Sequence, residues 1–344
     1  MEQRFLGRSG LSVSSLSLGT MTFGGKGRQA AMGALGVEPA RRLVDIAIEH
    51  GVTLFDTADI YSEGLAEEVL GAALKGRRQN VQVATKAFSR MGPGPNDLGL
   101  SRDHLIRACE DSLRRLATDY IDLYQAHSMD SITPMEETLS AFDTLVRQGK
   151  VRYIGCSNFS AWQTAKAVAI SENGGVARYI SQQIQYSLLV RDAEYELIPM
   201  GLDQGVGVMA WSPLVFGLLS GKVRRDAPPP AESRLAALGA PIEVNWERLY
   251  RIVDVMLEIA AARGVTPAQV ALNWVRGKPC VDTVILGARN EDQLRDNLAS
   301  AAWDLNAGEM ARLDEASAVP DPYPFWHQQK WAGARNPRVP AKRP

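Results

Sequence analysis

The chain has 344 residues, 45% of them hydrophobic and 22% charged, with a formal net charge of −1. Such a chain can bury a large core, and it lacks the basic field of a nucleic-acid binder, so neither DNA nor RNA is an expected partner. The opening residues hold no signal-peptide h-region, and no uninterrupted apolar run reaches the ~18 residues that span a bilayer, so a cytoplasmic protein without a membrane partner is expected.

The stretch RFLGRSGLSVSS reads as a β-hairpin turning at Gly7–Gly10, placed to plug one end of the main body of the fold. Short apolar runs then alternate with segments of helical period. Ser15–Thr20 precedes a helix near Pro39–His50, and Val52–Ala58 one near Glu63–Leu74. Val81–Phe88 is followed by a helix at Arg102–Leu116, and Tyr120–His127 by one at Pro134–Gln148. Val151–Asn158 leads into Ser160–Ser171, and Tyr179–Gln185 into Ala193–Met200. Gly207–Pro213 precedes a long excursion and helices at Trp246–Arg263 and Pro267–Arg276; Val281–Ala288 precedes Glu291–Ala301. Strand then helix recurs about eight times.

The strands are near-continuous apolar runs, the pattern of strands covered on both faces, so the α/β class and a closed (β/α)8 barrel of the TIM type are expected. An open doubly wound sheet is the alternative, but GTMTFGGKG after the first barrel strand lacks the GxGxxG spacing and has no helix-forming continuation. Nothing reads as an interdomain linker. A single domain over residues 1–344 is expected, with long loops on the C-terminal face and a loop or tail at about 317–344. The tail segment PDPYPFWHQQKW is too apolar to stay free, and it is expected to dock over the barrel mouth.

In such a barrel the chemistry sits at the C-terminal ends of the strands. Asp56 ends the second barrel strand, Lys86 the third, His127 the fourth, Ser157 and Asn158 the fifth and Gln183 the sixth, with Tyr61 five residues beyond Asp56. Singly each has an ordinary structural reading, as turn cap, rim lysine, core imidazole or packing ring. Together they suit proton donation to a carbonyl oxygen. A phenol is a poor acid near neutrality, and an ammonium beside it is expected to bring its pKa down. Lys86 supplies that charge, Asp56 holds and compensates Lys86, and His127 orients the carbonyl. Metal-ligand spacing is lacking among the four histidines, and Cys109, Cys156 and Cys280 form no CxxC pair, as expected for reduced thiols.

The segments LGTMTFG, FDTADIYSEGLAEEVLG, ATKAF, DYIDLYQAH, GKVRYIGCSNF, QIQYSLL, WSPLVFGLLSGK and ILGARNEDQLRDN resemble, in order and spacing, those of the aldo-keto reductases, NAD(P)H-dependent (β/α)8 barrels, with a leaning to the branch that includes potassium-channel β subunits. The resemblance runs from about Leu6 to Ala301. It implies a catalytic set of Asp56, Tyr61, Lys86 and His127, and NADPH as cofactor. Ser157, Asn158 and Gln183 match the residues that hold the nicotinamide carboxamide, Trp211 the aromatic that stacks on the nicotinamide ring, and Asp56 also reaches the nicotinamide ribose; Thr20 and Met21 are expected in the cofactor site as well. Ser212, Pro213, Leu214, Gly217 and Lys222 match the pyrophosphate loop, and Gly287, Arg289, Gln293, Asp296 and Asn297 the adenosine end. Lys222, Arg234 and Arg289 are the cations available to a 2′-phosphate, which favours NADPH over NADH.

The expected substrate is a small-molecule aldehyde or ketone, aromatic or bulky and cyclic, against an apolar wall drawn from Met21, Phe23, Phe88, Met129, Phe216, Phe325 and Trp326. The chain departs from the family's common pattern at Ser62–Gly64 and at Ala66, which bears on the loop after Tyr61. Two other readings stay open. One is a cofactor-binding regulatory subunit resembling the channel β subunits, although those have asparagine where this chain has His127; the other is a Schiff-base aldolase acting through Lys86.

Overall fold

The computed structural model describes residues 1–227 and 234–335. Strands β1 (Gln3–Phe5) and β2 (Ser12–Ser14) form the antiparallel N-terminal hairpin, closed by the Leu6 amide donating to the Leu11 carbonyl at 2.8 Å. The chain then alternates β3 (Leu16–Gly19), α1 (Val37–Glu49), β4 (Leu54–Asp56), α2 (Leu65–Ala73), β5 (Gln82–Ala87), α3 (Arg102–Leu116), β6 (Ile121–Ala126) and α4 (Met135–Arg147). It continues through β7 (Val151–Ser157), α5 (Ala161–Gly174), β8 (Tyr179–Gln185), α6 (Leu197–Gln204) and β9 (Gly207–Trp211). After β9 come α7 (Arg234–Leu238), α8 (Trp246–Arg263), α9 (Pro267–Arg276), β10 (Val281–Leu286), α10 (Glu291–Ala299), α11 (Ala307–Ala316) and α12 (Phe325–Arg335). Strands β3 to β10 pair in parallel and close into an eight-stranded barrel, with β10 against both β9 and β3.

Burial explains the apolar strand pattern. All residues of β4 and β6 are buried, because one set of side chains fills the barrel and the alternate set meets the helices. The helices of the outer ring turn an apolar face inward at helical spacing, as α1 does with Ala40, Leu43, Val44 and Ala47. Several helices start on a short polar cap: Ser101 accepts from the His104 amide at the start of α3, and Thr266 accepts from the Gln269 amide and precedes Pro267 at the start of α9. Leu6, Leu11 and Val13 of the hairpin join Leu54, Ala84, Leu123, Met209 and Ile285 in a cluster that fills the barrel interior from below.

Three features differ from the expectations. Helix α6 begins at Leu197 because Arg191 holds Glu194 through two hydrogen bonds and keeps Asp192–Glu194 as a 3-10 turn. Helix α11 has no counterpart among the expected segments, although Asn306 and Glu309 form a capping box at its start. The described part of the tail, up to residue 335, does not line the barrel mouth: the Tyr195 hydroxyl donates to the Pro320 carbonyl at 3.2 Å, and Phe325 packs on Tyr195 at 5.3 Å, so α12 lies against the turn before α6. The tail beyond residue 335, up to Pro344, lies outside the described residues. Among the described residues no helix is long and apolar enough to cross a membrane.

The hairpin turn meets the barrel at Gly7, whose φ is +58° and whose amide donates to Asp282 at 3.0 Å. A Cβ there would stand 2.5 Å from the Gly207 nitrogen and from the Ile180 carbonyl. Gly7→Ala should therefore lower stability by about 2 kcal/mol or more in denaturant unfolding. Gly10→Ala, where the nearest atom would be 3.8 Å away, should be close to neutral in the same measurement.

Candidate active site

The C-terminal ends of the barrel strands open into a cleft of about 1250 Å³. The register brings its polar groups to one level. Gly19 on β3 pairs with Asp56 on β4, Lys86 on β5 with Gln125 on β6, and Ser157 on β7 with Gln183 on β8. Where the apolar core stops, a polar ring begins.

At its centre Lys86 is fully buried and donates to Asp56 Oδ2 and to the Thr57 carbonyl, both at 2.7 Å. The other Asp56 oxygen accepts from Gln183 Nε2 at 2.8 Å, across the barrel mouth. Tyr61, 8% exposed, sits on the turn after β4, with Lys86 Nζ 5.1 Å from its ring centre and the His127 ring edge-on at 5.8 Å. Burial works against the charge of Lys86, but Asp56 and Tyr61 outweigh it and its pKa is raised. A lysine so held keeps its proton and is not free to attack a carbonyl. Burial also raises the pKa of Tyr61, with Lys86 opposing and Asp56 adding to the rise. That corrects the expectation of a phenol brought down by Lys86: desolvation of the phenolate is the larger effect. Burial, with Lys86 second, lowers the His127 pKa to about 3, so its imidazole is neutral across the physiological range.

Around this group the loops are strained. Asn158, Ser212, Val215 and Phe216 have φ between +45° and +57°, as do Ser62 and Glu63 just after Tyr61. Asn158 Nδ2 donates to the His127 carbonyl and to Ser157 Oγ, both at 3.0 Å, and Ser157 Oγ donates to the Gln183 carbonyl at 2.9 Å. Among the described residues, three buried polar atoms on the cleft wall have no hydrogen-bond partner: Thr20 Oγ1, His127 Nδ1 and Trp211 Nε1. Such atoms are suited to meeting a bound molecule.

The structure brings together most of the residues expected at the site. Asp56, Tyr61, His127, Thr20, Met21, Ser157, Asn158, Gln183, Trp211, Ser212, Pro213, Leu214, Gly217 and Lys222 line one cleft with Gly287, Arg289, Gln293, Asp296 and Asn297; Lys86 lies beneath it. At the far end Gln293 accepts from the Arg289 amide at 3.0 Å, and Asn297 donates to the Gly287 carbonyl at 3.3 Å. Asp296 accepts from Thr266 at 2.9 Å and from Gln269 at 2.6 Å. Lys222 and Arg289 are exposed and form no ion pair with any described residue. Arg234 opens α7, and its side chain lies outside the described residues.

The apolar wall differs more. Phe216 and Met21 line the cleft, but Phe23 is 0% exposed in the core, because its amide and carbonyl are held by Thr20 and Ser62 and turn the chain inward. Phe88 and Met129 pack against the core outside the lining, and Phe325 and Trp326 are carried away on α12. Ile60, Ser89, Ser220 and Leu272 line the cleft instead. Ile60 and Ser89 stand close to Tyr61 and Lys86 in strand-end loops, and that position is the signal the sequence offers for them.

The aldo/keto reductase family model matches residues 15–318. The chain is 40% identical to the uncharacterized oxidoreductase YrpG of Bacillus subtilis (strain 168), over 92% of this chain and 95% of that protein. It is 37% identical to a probable voltage-gated potassium channel subunit beta of Arabidopsis thaliana, over 87% and 90%. It is 34% identical to the versiconal hemiacetal acetate reductase of Aspergillus parasiticus, over 92% and 96%.

The ion pair at the centre of the site can be tested by unfolding. Lys86→Met leaves the buried Asp56 carboxylate without its counter-charge, and should cost about 3–5 kcal/mol in denaturant unfolding at pH 7.

Proposed function

Because the chain belongs to the aldo/keto reductase family, we propose that it reduces an aldehyde or ketone to the alcohol with NADPH, the carbonyl oxygen taking its proton from Tyr61. The observation that carries this reading is the buried Lys86–Asp56 pair set against Tyr61 and a neutral His127 at the floor of one cleft. When bound, the nicotinamide supplies the hydride. Asp56 keeps Lys86 in place and charged. The raised pKa of Tyr61 keeps the phenol protonated at rest, so it is an acid before it is anything else. As the carbonyl oxygen gains charge, the phenol gives up its proton, and the nearby ammonium stabilises the phenolate left behind. His127 holds the same oxygen as a neutral hydrogen-bond donor, since an imidazolium is disfavoured beside Lys86.

Ser157, Asn158 and Gln183 are the residues assigned to the nicotinamide carboxamide, with Trp211 against the ring. Ser212 to Gly217, whose backbone enters the left-handed region repeatedly, would wrap the pyrophosphate. Lys222 and Arg289, exposed cations at the other end of the cleft, are assigned to the 2′-phosphate. Met21, Ile60, Trp211 and Phe216 give the wall apolar contacts, which favours a bulky or aromatic carbonyl over a small sugar phosphate.

Tyr61→Phe should lower kcat on a good carbonyl substrate by about 10²-fold or more, with NADPH affinity by fluorescence titration nearly unchanged. A wild-type kcat in that variant would remove the phenol from the acid role. Arg289→Glu should raise KM for NADPH much more than KM for NADH, through loss of a charge-assisted contact. Equal effects on both would leave Lys222 or Arg234 as the discriminating cation.

A further inference from the structure

A second pocket, of about 120 Å³ and open to solvent on the Arg107 side, lies between the turn after β4, the loop after β5 and α3, and shares no lining residue with the cleft. Asp59 faces it. This residue is 0% exposed, and among the described residues neither of its carboxyl oxygens has a hydrogen bond of good geometry, the nearest donor being the Ile60 backbone amide. His104, 3% exposed, faces the same void, and its Nε2 is also buried without a partner. The charged groups on the wall are matched already: Arg115 holds Glu67 at 2.6 Å, and Arg107 holds Asp97 at 3.1 Å and Asp103 at 2.9 Å. Asp111 pairs with Arg114. What remains unsatisfied is the Asp59 carboxyl and one imidazole nitrogen, both turned to a space large enough for a small cluster of waters.

Asp59 also sits in the turn that matters most. It lies three residues after Asp56 and two before Tyr61, and its amide donates to the Lys86 carbonyl at 3.1 Å. The Tyr61 amide donates in turn to the Ala58 carbonyl at 3.1 Å. A shift of Asp59 therefore moves the backbone of both Tyr61 and the strand end that carries Lys86.

We propose that this void is a hydration site built into the turn, in which a small water cluster bridges the Asp59 carboxyl to His104 Nε2, and that Asp59 acts through it as a positioning residue for Tyr61. The positioning half rests on the role given to Tyr61 above; the hydration site does not. The bridge needs a donor at one end and an acceptor at the other. Burial raises the pKa of Asp59 well above its ordinary value, and Glu67 on α2 adds to the rise, while Arg115 on α3, the Ile60 backbone amide and Lys86 on β5 oppose it. Burial lowers the pKa of His104, and Arg107 adds to the fall, with Asp97, Asp103 and Asp111 opposing. A carboxylic acid can thus donate through water to a neutral imidazole.

These shifts give the pH dependence a definite sign. A carboxyl whose pKa is raised by folding contributes fully below its unfolded value, near 4, and loses that contribution as pH rises toward its folded value. Asn at the same position keeps the shape and the hydrogen bonds but cannot ionise.

The test combines a crystal structure of the full chain, at a resolution that shows ordered water, with melting curves and kinetics of wild type, Asp59→Asn and Asp59→Leu. Two or more waters within hydrogen-bond reach of Asp59 and His104 Nε2 are expected. From pH 5 to pH 8 the melting temperature of Asp59→Asn should gain about 3 °C or more on wild type. Asp59→Leu should lower kcat by roughly 10-fold with KM for NADPH little changed, and Asn should restore most of that rate. A dry void, or a melting difference that does not vary with pH, overturns the hydration site. A wild-type kcat in Asp59→Leu overturns the positioning role. If wild type turns over no carbonyl at all, the proposed function fails, and the waters and melting curves still decide the hydration site.

Discussion

The mouth of the barrel depends on one ion pair. Two opposite charges removed from water are tolerable only when the remaining lone pairs and protons find partners, and here both sides do: Gln183 donates to the second oxygen of Asp56, and the Thr57 carbonyl accepts from a second N–H of Lys86. A single polar knot thereby ties β4, β5 and β8 at the level where apolar packing ends. The charge at its centre acts on two neighbours in opposite senses. It favours the phenolate of Tyr61 and disfavours the imidazolium of His127, so one ammonium bears on the protonation state of each.

Above this rigid level the backbone is strained, and the strain is anchored. Ser62, Glu63 and Gly64 take left-handed conformations in succession after Tyr61. Ser62 is clamped by its hydroxyl, which donates to the Phe23 carbonyl at 2.8 Å and accepts from the Gly25 amide at 3.0 Å. Lys26 pairs with Glu63 at 3.4 Å. The loop after β3 and the turn after β4 are therefore one unit, and the departure from the family's common pattern at Ser62–Gly64 is where they join. Ser212, Val215 and Phe216 repeat the device on the opposite wall.

The barrel was legible because strands covered on both faces leave an unbroken apolar signature, and because a polar residue at the end of such a strand has few structural reasons to be there. The meeting of Asp56, Lys86 and His127 could be read from that logic; Tyr61, on the turn beyond β4, needed its spacing from Asp56 and the family resemblance as well. Direction and depth could not. Phe23, Phe88 and Trp326 have the composition of a pocket wall, but whether a ring turns into the cleft or the core depends on local hydrogen bonds, such as those that hold Phe23. The pKa of Tyr61 moves against expectation because the sequence reveals a neighbouring charge more readily than the degree of burial. Asp59 escapes a reading of the sequence for the same reason: nothing in FDTADIY tells that its second aspartate is enclosed.

The closure of the barrel carries a consequence in time. Ser17 on β3 pairs with Ile285 on β10, and the Gly7 amide meets Asp282, 275 positions later. At ribosomal rates of about 5–20 residues per second, roughly 14 to 55 s separate the synthesis of the two partners. For that interval β3 presents an unpaired edge and the hairpin has no barrel to seal, although both were made first. An exposed parallel edge is a template for another chain. The part of the molecule that looks most settled in the finished fold, the sealed floor, is thus the part that must wait longest, and the nascent chain is most open to wrong pairing at its own beginning.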